Sequence, residues 1–422
     1  MRIRSAICIV IAAGLAAAGY FLYSLSAQTS AMRRQIDALQ DAVTAAREEG
    51  QKQAEEIVAL RKKNDETEAA LAVVAGQTTQ VPPGIRLCPT LYAVQEHELN
   101  IYFDNIISDR DTRYDYNIIC DIGELHENYY RVVPNTGGVY SLSVQVIDRG
   151  TVVAETAAEL LVAEPLPEAR LIRCMVVGDS IVGNERLVPL LAENLAAAGI
   201  PAEFLGTLGE TPCRYEGRGG WTTQKYLRCS DSPFVYDGTF DFSRYMEENG
   251  FRDVDYLFIV LGINDIFPVE DTGALEETIR ETLAGYHELI GGIQAFDDRI
   301  RIGLCVTIPP AYTQDEFGAL YGTEYPRWRY KRNNFAWTSA MIDEFRNVDG
   351  VDLIPINVNL DTRNNMGTQE IPINAHNSDT RTVTAPRGHV HPDESGYWQI
   401  ADEMYYYIQC MEARIIGEDR QG

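Results

Sequence analysis

Four continuous apolar runs alternate with amphipathic stretches in the C-terminal part of the chain. The runs are LIRCMVV (171–177), VDYLFIVLG (254–262), RIRIGLCVTI (299–308) and VDLIPI (351–356). Runs of this kind form parallel strands that are covered on both faces. The helical stretches between and after them lie near 184–199, 273–295 and 332–346 and in SGYWQIADEMYYYIQCMEA. The alternation predicts a three-layer α/β/α domain with a doubly wound parallel sheet over residues 170–416.

The pattern before this domain is different. GGVYSLSVQVID (137–148) alternates strictly between apolar and polar residues, which is typical of a half-buried strand. ELNIYFDNI, YDYNIIC and TVVAETAAELLVA are further strand candidates separated by turn residues. We predict a small β-sandwich over residues 82–165, which would either bind sugars or space the next domain.

The first 31 residues predict a membrane anchor. Arg2 and Arg4 precede an uncharged run whose apolar part, Ala6 to Leu25, is long enough to span a bilayer. A cleaved signal peptide, with a small-residue site near Ser24–Ala27, is the alternative. Either interpretation places the rest of the chain outside the cytoplasm.

Residues 32–76 carry a heptad pattern. Ile36 and Val43 occupy a positions, Leu39 and Leu60 occupy d positions, and charged residues fill the positions between them. This predicts a coiled-coil stalk, and therefore a homo-oligomer. A single solvated helix or a disordered spacer is the alternative.

The net charge of −26 over 422 residues argues against nucleic acid or an anionic lipid surface as a partner. Neither GxGxxG nor a P-loop occurs, so no cofactor is predicted.

Seven of the eight cysteines lie beyond the N-terminal segment. We expect the three in strongly apolar stretches to be buried thiols: Cys174, Cys305 and Cys410. The other four would pair in an oxidising compartment as Cys88 with Cys120 and Cys213 with Cys229, or remain free. No CxxC occurs, which makes a zinc ribbon improbable.

Chemically useful side chains follow the predicted strands. Ser180 comes after the first run, Asn264 after the second, and the glycine-rich EGRGGWTT lies between them. Ligands in doubly wound folds bind beyond the carboxyl ends of the strands. A serine needs a histidine base to become a nucleophile, and N–H groups can hold the oxyanion that forms.

These motifs, with His391 in HPDESGY, resemble the SGNH, or GDSL, hydrolase family over residues 170–416. IPPAYTQDEFG and RWRYKRNNF resemble bacterial members with an N-terminal β-rich module. The resemblance implies that Ser180 is the nucleophile and His391 the general base. It also implies an oxyanion hole made of the Ser180 N–H, the Gly220 N–H and the Asn264 side chain.

One position departs from the family. The Asp that usually lies three residues before the catalytic histidine is replaced by Gly388. A backbone carbonyl could orient His391 instead, or Asp393 or another acid could do so. His389 and His391 could both face a metal, but a third ligand is missing, so no metal site is predicted and His389 is expected on the surface or at a pocket rim.

The predicted function is an extracytoplasmic serine esterase that hydrolyses O-acyl esters, O-acetyl esters in particular, of a carbohydrate or cell-envelope glycan. Trp221, Arg329 and Arg332 are candidate substrate contacts. Two alternatives are a lipid or lysophospholipid esterase and a catalytically impaired glycan-binding protein displayed on the surface.

Overall fold

The computed structural model describes residues 82–109, 113–166, 168–321, 325–373 and 380–419. The predicted anchor (1–31) and stalk (32–76) lie outside the described residues. Residues 82–422 form one compact unit. Within the described ranges, no helix is both long enough and apolar enough to cross a bilayer.

The N-terminal part of this unit contains two sheets and a one-turn helix. Its elements are β1 Thr90–Val94, β2 Leu99–Tyr102, α1 Phe103–Ile106, β3 Tyr114–Ile119, β4 Glu124–Leu125, β5 Tyr129–Val132, β6 Gly138–Asp148 and β7 Thr151–Ala163. One sheet has the order β1-β7-β6-β3, and the other has the order β2-β5-β4. Strand β6 confirms the alternating pattern, since Leu142, Val144 and Val146 are buried. The packing of the two sheets as a sandwich stays a prediction.

The segment ELNIYFDNI was predicted as a strand, and this is confirmed for Leu99–Tyr102 but wrong for Phe103–Ile106. It divides into β2 and α1 because its polar side chains are buried. The Asn105 amide donates to the carbonyl oxygens of Asn357 (2.8 Å) and Leu360 (2.7 Å). These contacts come from residues more than 250 positions away, so the local pattern could not reveal them.

The C-terminal part alternates strands and helices. Its elements are β8 Ile172–Gly178, α2 Ser180–Gly183, α3 Leu187–Ala197, β9 Ala202–Leu205, β10 Glu216–Gly217, α4 Thr223–Arg228, β11 Val235–Tyr236, β12 Thr239–Phe240, α5 Phe242–Glu248, β13 Tyr256–Val260, α6 Ile263–Ile266, α7 Thr272–Phe296, β14 Arg301–Cys305, α8 Gln314–Tyr321, α9 Arg327–Phe345, β15 Val351–Ile354, β16 Thr368–Pro372, β17 Thr382–Pro386 and α10 Glu394–Asp419.

A parallel sheet forms the centre of this part, in the order β10-β8-β13-β14-β15, with β9 also beside β8. The four predicted apolar runs become β8, β13, β14 and β15, so the α/β class with a parallel sheet is confirmed. Helix α10 packs on α3, whereas α4, α5, α6 and α9 pack on α7. The carboxyl ends of β8 and β13 are neighbours, which brings the segments after them together.

The N-terminal sheets pack directly against the α/β part. Helix α10 contacts β1 and β7, and the Tyr102 N–H donates to the Val358 carbonyl oxygen (3.0 Å). Buried Asp104 binds two cations of the basic stretch 327–334: Arg327 Nη2 at 2.9 Å and Lys331 Nζ at 3.8 Å from Oδ2. Part of this basic stretch therefore stabilises the junction.

All seven cysteines of the described ranges are free thiols. The disulfides Cys88–Cys120 and Cys213–Cys229, which were predicted as the alternative to free thiols, are therefore not formed. The other three are buried as expected, and burial raises the pKa of the Cys410 thiol to about 12.

We expect Asp104→Ala to lower the free energy of unfolding by about 3–5 kcal/mol, because it leaves two cations buried without their carboxylate. Urea unfolding of the full chain measures this. The matched control is Asp343→Ala, which breaks an exposed ion pair with Arg86 and should cost less than about 1 kcal/mol. Equal costs for the two variants would contradict the assignment of Asp104 to a buried ion cluster.

Candidate active site

Ser180 begins helix α2 directly after β8. The Asp179 side chain caps this helix, since its Oδ1 accepts from the Ile181 N–H (2.9 Å), as a turn-capping aspartate is expected to do. As the first helical residue, Ser180 has an N–H group without an intrahelical acceptor. This N–H is thus positioned to donate to an anion beside the serine hydroxyl.

His391 lies 211 residues further along the chain, yet its Nε2 is 2.7 Å from Ser180 Oγ. It follows the hairpin β16–β17 and precedes α10. Burial lowers the pKa of the His391 imidazole below its ordinary value, which favours the neutral form that can accept a proton. The structure therefore brings the predicted nucleophile and base into hydrogen-bonding contact.

The opposite side of the His391 ring contacts His389. The two Nδ1 atoms are 3.0 Å apart, and the rings are almost perpendicular, at 85°. The Val390 N–H also donates to His389 Nδ1, at 2.7 Å. His389 is 8% exposed, so the surface alternative of its expected position was wrong: its ring is buried against that of His391.

Neither of the proposed substitutes for the missing aspartate holds His391. Asp393 Oδ1 accepts from the Gly396 N–H (3.0 Å) and so caps the start of α10. The Nδ1 partner is an imidazole nitrogen, not a backbone carbonyl. Gly388 cannot carry a side chain, because a Cβ there would be 1.7 Å from the Met366 carbonyl oxygen.

The glycine-rich segment turns beside Ser180. Its Trp221 N–H donates to the Arg218 carbonyl oxygen (3.2 Å), and Gly220 has a φ of +72°, which favours glycine. A Cβ on Gly220 would meet nothing within 4 Å, and one on Gly219 would be 3.9 Å from Ser180 Cβ. The turn thus lies at open space next to the nucleophile.

Buried Glu216 holds this turn, and sequence reasoning did not single it out. Its carboxylate accepts from the Thr207 N–H (2.6 Å), the Tyr245 hydroxyl (2.7 Å) and Arg218 Nη1 (2.6 Å). Its position beside the glycines in EGRGG was the only signal in the sequence. The three bonds fix both the acid and the arginine that opens the turn.

The Asn264 side chain joins the turn to the capping aspartate. Its Nδ2 donates to the Trp221 carbonyl oxygen (3.0 Å) and to Asp179 Oδ2 (3.3 Å). To donate to an oxyanion, the amide must exchange one of these bonds, and the longer one, to Asp179, is the weaker. Asn264 therefore lies next to the predicted oxyanion site, with its N–H groups already engaged.

Two buried carboxyl groups lie beneath the site. Burial raises the pKa of Asp179 to about 7, with a further contribution from the charge of Asp265. Burial also raises the pKa of Asp265 to about 6, and this carboxylate accepts from the Thr223 N–H at 3.1 Å. Asp265 thus holds the start of α4, which follows the glycine turn.

The three weaker candidates lie in different places. Trp221 belongs to the glycine turn and packs edge-on against Tyr226, with ring centroids 5.0 Å apart. Arg329 pairs with the Glu270 carboxylate (3.3 Å), and Arg332 Nη2 donates to the Glu270 carbonyl oxygen (3.0 Å). Substrate contact by these three residues stays a prediction.

In the part of the chain that the structure describes, no group of three or more His, Cys, Asp or Glu side chains is arranged to hold a metal ion.

Comparisons with known proteins give similarities to solved structures only. Neither the protein-family profiles nor the curated proteins include a match. Among solved structures, a carbohydrate esterase family 3 from Talaromyces cellulolyticus is 16% identical, with a TM-score of 0.37, over 57% of this chain and 98% of its own. A Clostridium thermocellum family 3 carbohydrate esterase is 16% identical, with a TM-score of 0.36, over 58% and 99%.

A third similar structure is a possible lipase from Chitinophaga pinensis, 14% identical, with a TM-score of 0.36, over 57% of this chain and 98% of its own. Identities and TM-scores this low carry no inference about activity. The function is therefore argued from the site itself.

We expect Gly388→Asp, which places the carboxylate where the SGNH pattern has one, to lower esterase activity by at least about tenfold. The reason is that its Cβ would clash with the Met366 carbonyl and displace the turn that carries His391. Turnover of an aryl ester measures this. The control is Gly291→Asp at an exposed position of α7, because a Cβ at Gly291 meets nothing within 4 Å. Activity at or above that of the wild type would contradict the steric argument.

Proposed function

We propose that this protein is a serine ester hydrolase of the SGNH type that acts on O-acyl esters, O-acetyl esters in particular, of a carbohydrate or cell-envelope glycan. The observation that carries the proposal is the 2.7 Å contact between Ser180 Oγ and His391 Nε2 at the carboxyl edge of the parallel sheet. The Ser180 N–H, which has no intrahelical acceptor, and the glycine turn beside it support the same chemistry.

In the first half of the proposed reaction, Ser180 Oγ attacks the acyl carbon while His391 Nε2 takes the hydroxyl proton. The carbonyl oxygen becomes an oxyanion, held by the N–H groups of Ser180 and Gly220 and by the Asn264 amide. The intermediate collapses when His391 gives its proton to the leaving alcohol oxygen. This leaves an acyl-serine and a free hydroxyl on the sugar.

In the second half, His391 takes a proton from water, and the resulting hydroxide attacks the acyl carbon. The second tetrahedral intermediate breaks the bond to Ser180 Oγ, which recovers the proton from His391. The products are a carboxylic acid and the starting enzyme. No external reductant, oxidant or further reactant is required.

The location forms part of the proposal. We place the catalytic part outside the cytoplasm, tethered through residues 1–31 and a coiled coil over 32–76. A glycan ester is favoured over a lipid ester because an aromatic side chain, Trp221, belongs to the glycine turn beside the nucleophile and can stack on a sugar ring.

The test is hydrolysis of an aryl acetate by the full-length protein, with and without a chelator. We expect activity that survives chelation, falls by at least about 10³-fold in Ser180→Ala, and falls by about 10²–10³-fold in Asn264→Ala. Turnover of acetylated glycans set against long-chain lipid esters then compares the two substrate classes. Activity that is unchanged in Ser180→Ala, or lost to the chelator, would overturn the proposed mechanism.

The pH profile of kcat/KM tests the base. His391 must be neutral to accept a proton, so activity should fall as the pH drops through its pKa, which burial holds below the ordinary value of about 6.5. Asp179, with a pKa raised to about 7, also titrates near this range, so Asp179→Asn serves as the control. This variant should keep the fall in kcat/KM at acidic pH. A profile without this acidic fall in activity, or a fall that disappears in Asp179→Asn, would rule out His391 as the titrating base.

A further inference from the structure

We propose that His389 is the positioning residue for His391 and occupies the role that a carboxylate has in a Ser-His-Asp triad. The geometry points to a Ser180–His391–His389 relay of hydrogen bonds in which a neutral imidazole is the terminal acceptor. This inference rests on the proposed esterase function. It goes beyond that function because nothing in the family pattern assigns a role to the residue two positions before the base.

The location of one proton decides the argument. The Val390 N–H can only donate, and it points at His389 Nδ1 from 2.7 Å, so this nitrogen must present its lone pair. His389 Nδ1 therefore carries no proton. A proton in the 3.0 Å contact between the two Nδ1 atoms can then come only from His391, whose Nδ1–H shares the single lone pair of His389 Nδ1 with the Val390 N–H in a three-centre hydrogen bond.

This assignment also fixes the other side of the His391 ring. A neutral imidazole that is protonated on Nδ1 has a bare Nε2, and this atom faces Ser180 Oγ at 2.7 Å. His391 is thus in the tautomer that a general base requires. In the opposite tautomer, Nε2 would donate to the serine oxygen and could not take its proton.

The backbone around His389 keeps the acceptor in place. The Ala311 N–H donates to the His389 carbonyl oxygen (2.7 Å), and the His391 N–H donates to the Gly388 carbonyl oxygen (3.3 Å). The turn approaches Met366 so closely that only glycine fits at position 388. A carboxylate at the usual position is thereby excluded, and the imidazole one residue later takes the place behind the base.

The surroundings keep His389 neutral. Burial, together with the charges of His391 and Arg387, lowers the pKa of His389 to about 4. When His391 becomes an imidazolium during the reaction, His389 therefore remains an acceptor for its Nδ1–H. A neutral acceptor stabilises that cation less than a carboxylate does, so orientation is the main contribution.

Two variants distinguish the effect of the hydrogen-bond acceptor at position 389 from the effect of the ring's shape. His389→Phe keeps an aromatic ring but removes the acceptor, and His389→Asn puts an amide oxygen at the position of Nδ1. We expect His389→Phe to lower kcat for an aryl acetate by about 10²-fold with little change in KM, and His389→Asn to stay within about fivefold of the wild type. Thermal unfolding of both variants checks that they fold.

Retention of kcat by His389→Phe to within about threefold would overturn the proposal. Equal losses in folded Phe and Asn variants would overturn it as well, because the acceptor would then be irrelevant. A loss of kcat in His389→Phe, together with a kcat close to that of the wild type in His389→Asn, supports the proposal.

Nitrogen-15 NMR of histidine-labelled full-length protein at pH 7.5 tests the tautomers without any substrate. We expect His391, assigned by its absence in His391→Gln, to carry its proton on Nδ1, and His389 to lack a proton there. A His391 proton on Nε2 overturns the proposal even if the variants do not fold. An inactive wild type with the expected tautomers would instead reject the proposed esterase function while supporting the relay.

Discussion

The hydrogen bond between Ser180 Oγ and His391 Nε2 is the contact on which the site depends. It joins the first strand of the parallel sheet to the turn before the last helix, and neither partner has the required chemistry alone. A serine hydroxyl is a poor nucleophile without a base, and an imidazole in the wrong tautomer is no base. Much of the nearby structure serves to hold these two atoms 2.7 Å apart.

Buried contacts on both sides of this hydrogen bond fix the positions of Ser180 and His391. On the serine side, Glu216 binds Arg218 and Tyr245, and Asn264 joins the glycine turn to Asp179. Buried polar groups need hydrogen-bond partners within the protein. Moving the glycine turn would break these bonds, so the turn is held in one position. On the histidine side, backbone bonds and the close approach to Met366 fix the turn at Gly388.

The sequence predicted the parallel sheet and the two segments that follow β8 and β13 at its edge, because those features follow from local pattern. A run such as VDYLFIVLG reads as a buried strand in any context, and the chain after a parallel strand must emerge at the same edge as its neighbours. Ser180 and Asn264 could therefore be placed together from the pattern, whereas His391 follows an antiparallel hairpin and was assigned to the same site only by the resemblance to the SGNH family.

What the sequence did not predict depends on distant contacts. His389 looked peripheral because nothing local shows that the chain at Met366 lies against Gly388 or that His389 is buried. The helix at Phe103–Ile106 replaced a strand because Asn105 binds carbonyls near residue 357. In both cases the deciding contact joins parts of the chain more than 20 positions apart, Met366 with Gly388 and Asn105 with Asn357, and no periodicity records such a contact.

The activated serine is the central claim, and covalent labelling tests it without knowledge of the natural substrate. The full-length protein would be treated with a serine-reactive fluorophosphonate and its peptides analysed by mass spectrometry. We predict a single adduct on Ser180 that forms much more slowly in His391→Ala, because the base is then missing. Absence of an adduct, or an adduct on a different serine, would contradict the account.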